Sequence, residues 1–417
     1  KPCYLARKMT QKHNATKPGL DPADTVAWQR WLQPLQGAMA GQHAPLDRKI
    51  IEAEFEAYAE KRGSSNRTQL LTCLRTHLDA AKAELQQAFY DNNDGAVYVG
   101  MYAWTIDILL QMLYIETQKH CGGGDLAVIA VGGYGRGEMA PHSDIDIMIL
   151  MPKNATAAHT KFIEFMLYVL WDLGLKIGHS TRSISESIAA ARDNQTVLTS
   201  LLEMRHVAGD ESLWTRLAGA VQHEIGKQKP LVFVGEKLAE RDVRHKRFGD
   251  TRYVVEPNVK DGKGGLRDLH SLFWIAKYAY RANSIVDIVK QGVLRDGEAR
   301  KFALAQRFLW TVRCHLHLQA GRAEERLDFE AQMLIALRLG FADRGGMRGV
   351  ERFMKRYYLA VRNVGNLTRI FCAAMETDFR KSLTVWRPHF LRTHNLGPFR
   401  IESGWVRLLD NFLFRDK

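Results

Sequence analysis

The length, composition and charge of this chain exclude several classes of protein. With 417 residues, the chain is too long for a single hydrophobic core of ordinary size, so two or three packed units are expected. Its residues are 46% hydrophobic and 25% charged, which is the composition of a folded soluble protein. No uninterrupted apolar run approaches the roughly eighteen residues of a membrane span, and the basic residues 1–17 lack the apolar stretch of a signal peptide, so we expect a cytoplasmic protein.

The formal charge of +13 favours acidic partners. Nucleoside triphosphates, nucleic acids and acidic proteins all fit this charge, which does not choose among them. The cysteines are scattered without paired spacing, so they indicate reduced thiols, with neither a disulfide framework nor a zinc site. They are Cys3, Cys73, Cys121, Cys314 and Cys372.

The first predicted elements are helices, in an N-terminal region over residues 1–120. From about Asp47 to His120, apolar residues recur at three- and four-residue steps, as at Leu70 and Leu74. This spacing places them on one face of a helix. The glycines at 122–124 then end the helical pattern.

A small mixed α/β domain is predicted over residues 121–210. Short apolar runs bounded by turn residues indicate buried strands, and an amphipathic run closed by a glycine indicates a helix. In chain order these are a strand from Leu126 to Val131, a strand from Ile145 to Met151, a helix from Ala157 to about Leu173, and a strand from Leu175 to Arg182.

The rest of the chain is predicted to be nearly all helical. A helical domain over residues 211–380 is interrupted from Tyr253 to Asp268, where Pro257 and several glycines break the period and indicate a long loop. Residues 381–417 have a weaker pattern and are not expected to form a domain alone. The fold class is therefore α+β, with a small mixed sheet and flanking helices followed by a largely helical domain.

Two aspartates, Asp144 and Asp146, lie two residues apart at the start of a predicted strand. Because alternate residues of a strand share one face, both carboxylates should point into one small volume, where they repel each other unless a cation lies between them. Magnesium is the expected ion, because a small hard cation prefers carboxylate, water and phosphate oxygens. In a two-metal site, one ion activates the attacking hydroxyl and the other neutralises the leaving pyrophosphate.

Gly132 and Gly133 end the preceding strand, where missing side chains let backbone N–H groups approach phosphate oxygens. Ser143 adds a hydroxyl to the same cradle, and Arg136 either adds positive charge or braces the loop against Glu138. Each motif alone is common in turns and solvated strand ends. Together, the strand, the glycine pair, the short loop and the Asp-apolar-Asp strand predict a nucleotidyltransferase fold.

The loop from Glu256 to Asp268 combines flexible glycines with the basic residues Lys260, Lys263 and Arg267. This composition suits a loop that grips a triphosphate or closes over it. The alternative is a solvated loop in which Arg267 and Asp268 cap the next helix. A long basic loop within helical surroundings favours nucleotide binding.

Several segments resemble the bifunctional PII uridylyltransferase and uridylyl-removing enzymes, over about Glu52 to Phe379. They are Val131–Glu138 with Ser143–Asp146, Gly178–Arg182, Leu201–Arg205, Glu256–Asp268 and Gly321–Leu327. In that family, the transferase domain moves UMP from UTP to a tyrosine of the PII nitrogen-signalling protein. The resemblance implies that Asp144 and Asp146 bind the magnesium ions and that Gly132 and Gly133 hold the UTP phosphates.

The resemblance is incomplete in two respects. Family members continue into a hydrolase domain with a His-Asp dipeptide and then into ACT domains. In this sequence no His is directly followed by Asp, and the chain ends at Lys417. We therefore expect the transferase part without UMP removal or glutamine sensing. In the wider superfamily a third carboxylate on a later strand takes the acceptor's proton, but Leu175–Arg182 carries His179 and no acid. Asp193 and Glu203 are the nearest candidates, and the base stays unassigned.

Two other functions stay open beside transfer to a PII-type protein. The first is an enzyme that extends an RNA end, which the positive charge fits. The second is a binding module, in which an inactive transferase fold acts as a sensor or a scaffold. The basic run from Arg241 to Arg247 suits an acidic partner, although such runs are more often solvated helix faces. Aromatic residues are not interleaved with basic ones as in a base-stacking platform, so the expected partners are UTP and a PII-type protein, with no nucleic acid and no membrane.

Overall fold

The computed structural model describes residues 67–227 and 230–379 together with three short strands further on. The predictions for residues 1–66, including Cys3 and the helical pattern from Asp47, lie outside the described residues. Of the cysteines, Cys73, Cys121, Cys314 and Cys372 lie within them, and no disulfide joins any two of these four.

Two long helices open the described chain. They are α1 (Arg67–Asn92) and α2 (Gly95–Cys121), and Asp94 caps α2 by accepting hydrogen bonds from Ala96 N and Val97 N. The three- and four-residue spacing is confirmed, because Leu70 and Leu74 are buried. By length and composition α2 could cross a membrane, but 67% of its apolar window is buried inside the protein. It packs against other helices as a core element.

A four-stranded mixed sheet carries the glycine and aspartate motifs. Its strands are β1 (Ala127–Ala130), β2 (Ile145–Leu150), β3 (Ile177–Arg182) and β4 (Arg205–Gly209), in the order β3-β2-β1-β4. β1 pairs antiparallel with β2 and β4, and β2 pairs parallel with β3. The C-terminal end of β1 and the N-terminal ends of β2 and β4 therefore lie side by side, at the same end of the strands, which we call the sheet edge. The first three strands were predicted, whereas β4 was missed because it begins with two polar residues and has no apolar run.

Short helices connect these strands. They are α3 (Gly132–Gly135), α4 (Ala157–Asp172), α5 (Ile184–Asp193) and α6 (Gln195–Leu202). The turn α3 joins β1 to β2, and α4 is the crossover that a parallel pair such as β2 and β3 requires. The predicted amphipathic helix is confirmed, since Phe162, Met166 and Leu170 bury one face of α4 at four-residue steps.

A largely helical region follows, as predicted. Its helices are α7 (Glu211–Lys227), α8 (Pro230–Arg247), α9 (Leu266–Tyr280), α10 (Ile285–Lys290), α11 (Asp296–Ala320), α12 (Phe329–Arg338) and α13 (Gly349–Phe379). The predicted long loop is present up to Gly265, whereas its last three predicted residues, Leu266 to Asp268, form the first turn of α9. α11 packs against α2 and α13, and one continuous cluster of buried apolar side chains extends from the sheet into these helices.

Three C-terminal strands contradict the prediction of a nearly all-helical remainder. β5 (Thr393–Leu396), β6 (Phe399–Glu402) and β7 (Trp405–Leu408) form an antiparallel sheet in that order. The sequence between them contains Gly397-Pro398 and Ser403-Gly404, which are turn signals that stop a helix. The α+β class is confirmed.

Candidate active site

A cleft of about 520 Å³ lies where the sheet edge meets the helical region. Its walls come from α3, the start of β2, helices α6 and α8, the loop before α9 and the segment after α11. Eight of the nine predicted site residues line it: Gly132, Gly133, Arg136, Ser143, Asp144, Asp146, Lys260 and Arg267. Motifs more than a hundred residues apart in the sequence therefore meet in one place.

Asp144 and Asp146 stand at the start of β2, beside the end of β1. Val131 N donates a hydrogen bond of 3.0 Å to Asp146 O, which fixes the two strand ends together. Asp144 is exposed and Asp146 is partly buried. Burial, followed by the charge of Asp144, raises the pKa of Asp146, although Lys260 and Arg136 act in the opposite direction. A cation between the two carboxylates would relieve this repulsion.

Two glycines leave room for the Asp146 carboxylate. Gly132 has a φ of 59°, and a Cβ there would lie 3.1 Å from Asp146 Oδ2. Gly178 is the partner of Asp146 in the parallel β2–β3 ladder, and a Cβ there would overlap Asp146 Oδ1. The sequence singled out Gly132 for phosphate contact and assigned no role to Gly178. Only the strand register places Gly178 beside the carboxylate.

The groups around this pair suit a hard divalent cation. Ser143 Oγ is buried and has no hydrogen-bond partner within the described part of the chain, and Ser143 lines the same cleft as Asp144 and Asp146. These are all oxygen donors, which magnesium prefers. Among the described residues, no group of three or more His, Cys, Asp or Glu side chains is placed to hold a metal. Water and phosphate oxygens would therefore complete the coordination.

The two candidates for a third carboxylate lie in different surroundings. Glu203 precedes β4 at the same sheet edge and lines the cleft, but its carboxylate accepts hydrogen bonds from Arg136 and Trp274. Burial raises the pKa of Glu203, with Arg136 opposing the shift. Asp193 ends α5, is exposed and does not line the cleft. The base therefore stays unassigned.

Arg136 braces the glycine turn from inside the protein. Its Nε lies 3.0 Å from Glu138 Oε2, its Nη1 bonds to Glu203, and its Nη2 lies 3.4 Å from Nδ1 of His270 on α9. Burial would lower the pKa of Arg136, but the two carboxylates raise it above its usual value. Of the two roles that the sequence left open, bracing against Glu138 is the one that these contacts support.

Lys260 brings a positive charge to the carboxylates from the helical side. Its Nζ lies 3.9 Å from Glu325 Oε1, and it is close enough to Asp146 to lower that carboxyl's pKa. Burial, helped by Arg313, lowers the pKa of Lys260 itself. A partly buried ammonium with such a distant counter-ion is suited to an anionic ligand.

Arg267 lines the cleft beside Lys260. Its Nε lies 3.4 Å from Asp261 Oδ1, and its guanidinium stacks 5.7 Å from the Trp274 ring. The alternative prediction was that Arg267 and Asp268 cap this helix, but its N-cap residue is Gly265, which receives no side-chain cap hydrogen bond. Asp268 Oδ2 instead accepts a hydrogen bond of 2.7 Å from Gly264 N, in the loop before the cap. Burial would raise the pKa of Asp268, but hydrogen bonding and charge from His245 lower it.

Lys263 differs from the other predicted site residues, because its side chain does not line the cleft. Its Nζ donates to the carbonyl oxygen of Asp250 at 3.0 Å and to Asp250 Oδ1 at 2.7 Å. The chain turns immediately afterwards at Gly264, which has a φ of 84°. Lys263 therefore secures the loop to the end of α8, whereas Lys260 and Arg267 reach the site.

Sequence reasoning missed the cleft residues that come from α6, α8 and the segment after α11. They are Thr196, Thr199, Ser200, Lys237, Glu240, Val243, Arg244, Arg247, Ala323 and Glu325. The run from Arg241 to Arg247 was interpreted as a solvated face, but two of its arginines line the cleft. A resemblance in Gly321–Leu327 marked the last segment without assigning it a role.

Two family models match separate parts of the chain. A nucleotidyltransferase domain matches residues 116–195, which include the glycine turn and both aspartates. A family described as GlnD PII-uridylyltransferase matches residues 232–372, which include the basic loop and most of α13. Each side of the cleft is thus matched by one of the two models.

Curated relatives share more than two fifths of their aligned residues with this chain. A bifunctional uridylyltransferase/uridylyl-removing enzyme of Rhodospirillum rubrum is 44% identical over 384 residues, which is 89% of this chain and 41% of that protein. Enzymes of the same name from Bradyrhizobium diazoefficiens and Azospirillum brasilense are 45% and 43% identical, covering 82% of this chain and 38% and 37% of theirs.

The chain spans about two fifths of the length of these relatives. The matched part contains the sheet edge with Asp144 and Asp146, the glycine turn and the basic loop that together line the cleft. This chain belongs to the family of bifunctional uridylyltransferase/uridylyl-removing enzymes and carries that family's nucleotidyltransferase domain.

Proposed function

We propose that the chain transfers UMP from UTP to a tyrosine of a PII-type signalling protein and releases pyrophosphate, in the cytoplasm. The observation that carries this proposal is the meeting of Asp144, Asp146 and the unpartnered Ser143 hydroxyl with Lys260 in one cleft. The names of the relatives and of the matched family supply the nucleotide and the acceptor, because the cleft geometry itself is silent on both.

The sheet side of the cleft would hold the metal and the phosphates. Asp144 and Asp146 would bind two magnesium ions, which when bound neutralise phosphate charge and activate the attacking hydroxyl. The N–H groups of Gly132 and Gly133 begin the one-turn helix α3, where the first N–H groups have no intrahelical acceptor. They would donate to phosphate oxygens together with the Ser143 hydroxyl.

The helical side would bind the leaving group. Lys260 reaches the cleft from the loop before α9, and Arg267 reaches it from the first turn of α9. Their carboxylate contacts are long, at 3.9 and 3.4 Å. A triphosphate between them and the metal site would receive charge-assisted hydrogen bonds as negative charge builds on the pyrophosphate. The acceptor tyrosine would approach the α-phosphate in line with this leaving group.

Labelled UTP tests the proposal directly. The full chain is incubated with magnesium, labelled UTP and either a PII protein or tRNA, and the label is followed on each acceptor. Label on a tyrosine of PII is the expected result. Label on RNA alone would overturn the choice of acceptor, and nucleotide binding without transfer would indicate an inactive scaffold.

Transfer to an RNA end is the second candidate, because the cleft has a positive rim. Arg244 and Arg247 line it from α8, and Arg247 is exposed. A phosphate backbone would be attracted to such a rim in a strongly salt-dependent way. The tRNA arm of the same experiment therefore includes a salt series, in which RNA labelling should fall steeply if this candidate is correct.

A further inference from the structure

A second cavity lies behind the glycine turn, and we call it the rear cavity. Its volume is about 500 Å³, within the range of small-molecule sites. It lies among the first turn of α2, residues 135–138, the start of β4 and helices α9, α10 and α11, and neither Asp144 nor Asp146 lines it. Its lining includes the side chains of Val97, Phe273, Lys277, Phe302 and Trp310.

One wall separates the rear cavity from the cleft and belongs to both. Arg136, Glu138, Glu203 and His270 line the two cavities alike. Arg136 bonds to both carboxylates, and His270 Nε2 lies 2.7 Å from Glu138 Oε2. An occupant of the rear cavity would therefore touch the groups that brace the glycine turn.

Lys277 is the charged group of the rear cavity with the fewest partners. Its Nζ donates to Leu202 O at 2.7 Å and, among the described residues, has no carboxylate within salt-bridge distance. An ammonium has three N–H donors, so two stay available. Burial lowers the pKa of Lys277, as expected for a cation without a close counter-ion.

The shared wall also determines the charge around Lys277. Arg136 lies between two carboxylates, so this triad carries one excess negative charge, which Lys277 balances from α9. The lining also contains the rings of Phe273, Phe302 and Trp310. The Phe273 ring lies 5.3 Å from the ammonium. The rear cavity thus combines one cationic anchor with aromatic walls.

We propose that the rear cavity binds a small organic anion with an apolar body, and that its occupancy changes the affinity of the cleft for nucleotide. The anionic group would accept hydrogen bonds from Lys277, and the apolar body would pack against Phe273, Phe302 and Trp310. Because Arg136 and Glu203 belong to both cavities, the coupling would act through the position of the glycine turn. Such coupling is reciprocal, since each ligand must change the other's affinity by one common factor.

Two fluorescent probes test the binding site on the full chain. One is 8-anilinonaphthalene-1-sulfonate, an anion with an aromatic body, and the other is the neutral N-phenyl-1-naphthylamine, which lacks the sulfonate. We expect saturable binding of the anionic probe, weakened about tenfold by Lys277→Met through loss of a charge-assisted hydrogen bond. The neutral probe should be unaffected by this substitution. Lys290→Met, on the exposed side of α10, is the matched control and should change neither affinity.

A second variant tests the binding site independently, in case Lys277→Met does not fold. Val97 lies at the rim and is 36% exposed, so Val97→Trp should narrow the rear cavity with little effect on the fold. Both probes should then bind more weakly. Equal binding of the anionic probe to the wild type and both variants would overturn the site, and equal losses of both probes in Lys277→Met would overturn its preference for anions.

Coupling is measured by titrating UTP, calorimetrically, with and without a saturating concentration of the anionic probe. A several-fold change in UTP affinity, matched by a similar change in probe affinity at saturating UTP, is expected. An unchanged UTP affinity would overturn the coupling. This last step rests on nucleotide binding in the cleft, whereas probe binding alone needs neither nucleotide nor acceptor, so failure of the proposed transfer reaction stays distinguishable.

Discussion

The two sides of the cleft differ in the residues that line them and in the elements that hold those residues. On the sheet side, carboxylates and glycines are held by strand pairing, and a single methyl group at Gly178 would overlap the Asp146 carboxylate. On the helical side, the long cationic side chains of Lys260, from a loop, and Arg267, from the first turn of α9, contact carboxylates at more than 3.3 Å. The sheet side therefore sets positions to within a fraction of an ångström, whereas the helical side supplies charge that can adjust to a ligand.

The largest effect is expected at the carboxylates. Asp144→Asn and Asp146→Asn remove the charge that would hold the metal, so UMP transfer should fall on the order of a thousandfold, equivalent to several kcal/mol. The fold should stay intact, as checked by circular dichroism and thermal melting. Asp193→Asn, at an exposed carboxylate outside the cleft, is the control. If Asp146→Asn kept its transfer activity, the assignment of Asp146 as a metal ligand would be wrong.

Gly178→Ala tests whether the sheet side depends on exact placement. The added methyl group would displace the Asp146 carboxylate, and a displacement of about 1 Å costs on the order of a hundredfold in rate. Steady-state transfer and its magnesium dependence are the measurements. Gly219→Ala is the matched control, because a Cβ there meets nothing within 4 Å and alanine favours the helix. If both variants behaved alike, the proposed role of Gly178 would be wrong.

Lys260→Met tests the helical side. Loss of one charge-assisted contact to the triphosphate should raise the KM for UTP by about tenfold or somewhat more. Lys263→Met, three residues away in the same loop but bonded to Asp250, should leave the KM for UTP unchanged and cost at most about 1 kcal/mol of stability. The expectation fails if the two variants raise KM equally.

The smallest effect concerns the network that joins the two sides. Burial, followed by the charge of Arg136, lowers the pKa of His270 to about 3 from its usual 6.5. Below pH 6.5 the unfolded chain binds a proton at this histidine that the folded chain does not bind, so stability should fall by up to about 1.4 kcal/mol per pH unit. In His270→Gln the decline in Tm between pH 6.5 and 4 should be shallower than in the wild type. Parallel declines would contradict this assignment.

Much of the sheet side was predictable because its signals are local. The strands β1 and β2 are apolar runs, and the two-residue spacing of Asp144 and Asp146 directs both to one face whatever surrounds them. Gly178 was beyond such reasoning, since its role arises from pairing with Asp146 across two strands. The strand β4 and the placement of Glu203 beside Arg136 were equally invisible in any short window.

The sequence by itself determined the α+β class, the glycine turn, the aspartate pair and the basic character of the loop, because strand alternation and composition act over a few residues. Only the tertiary structure decided that Lys260 and Arg267 enter the cleft while Lys263 bonds to Asp250, and that Arg244 and Arg247 line it from α8. The physical reason is that a side chain's direction in a loop depends on distant anchors, here Asp250 and the buried Asp268, which no local pattern encodes.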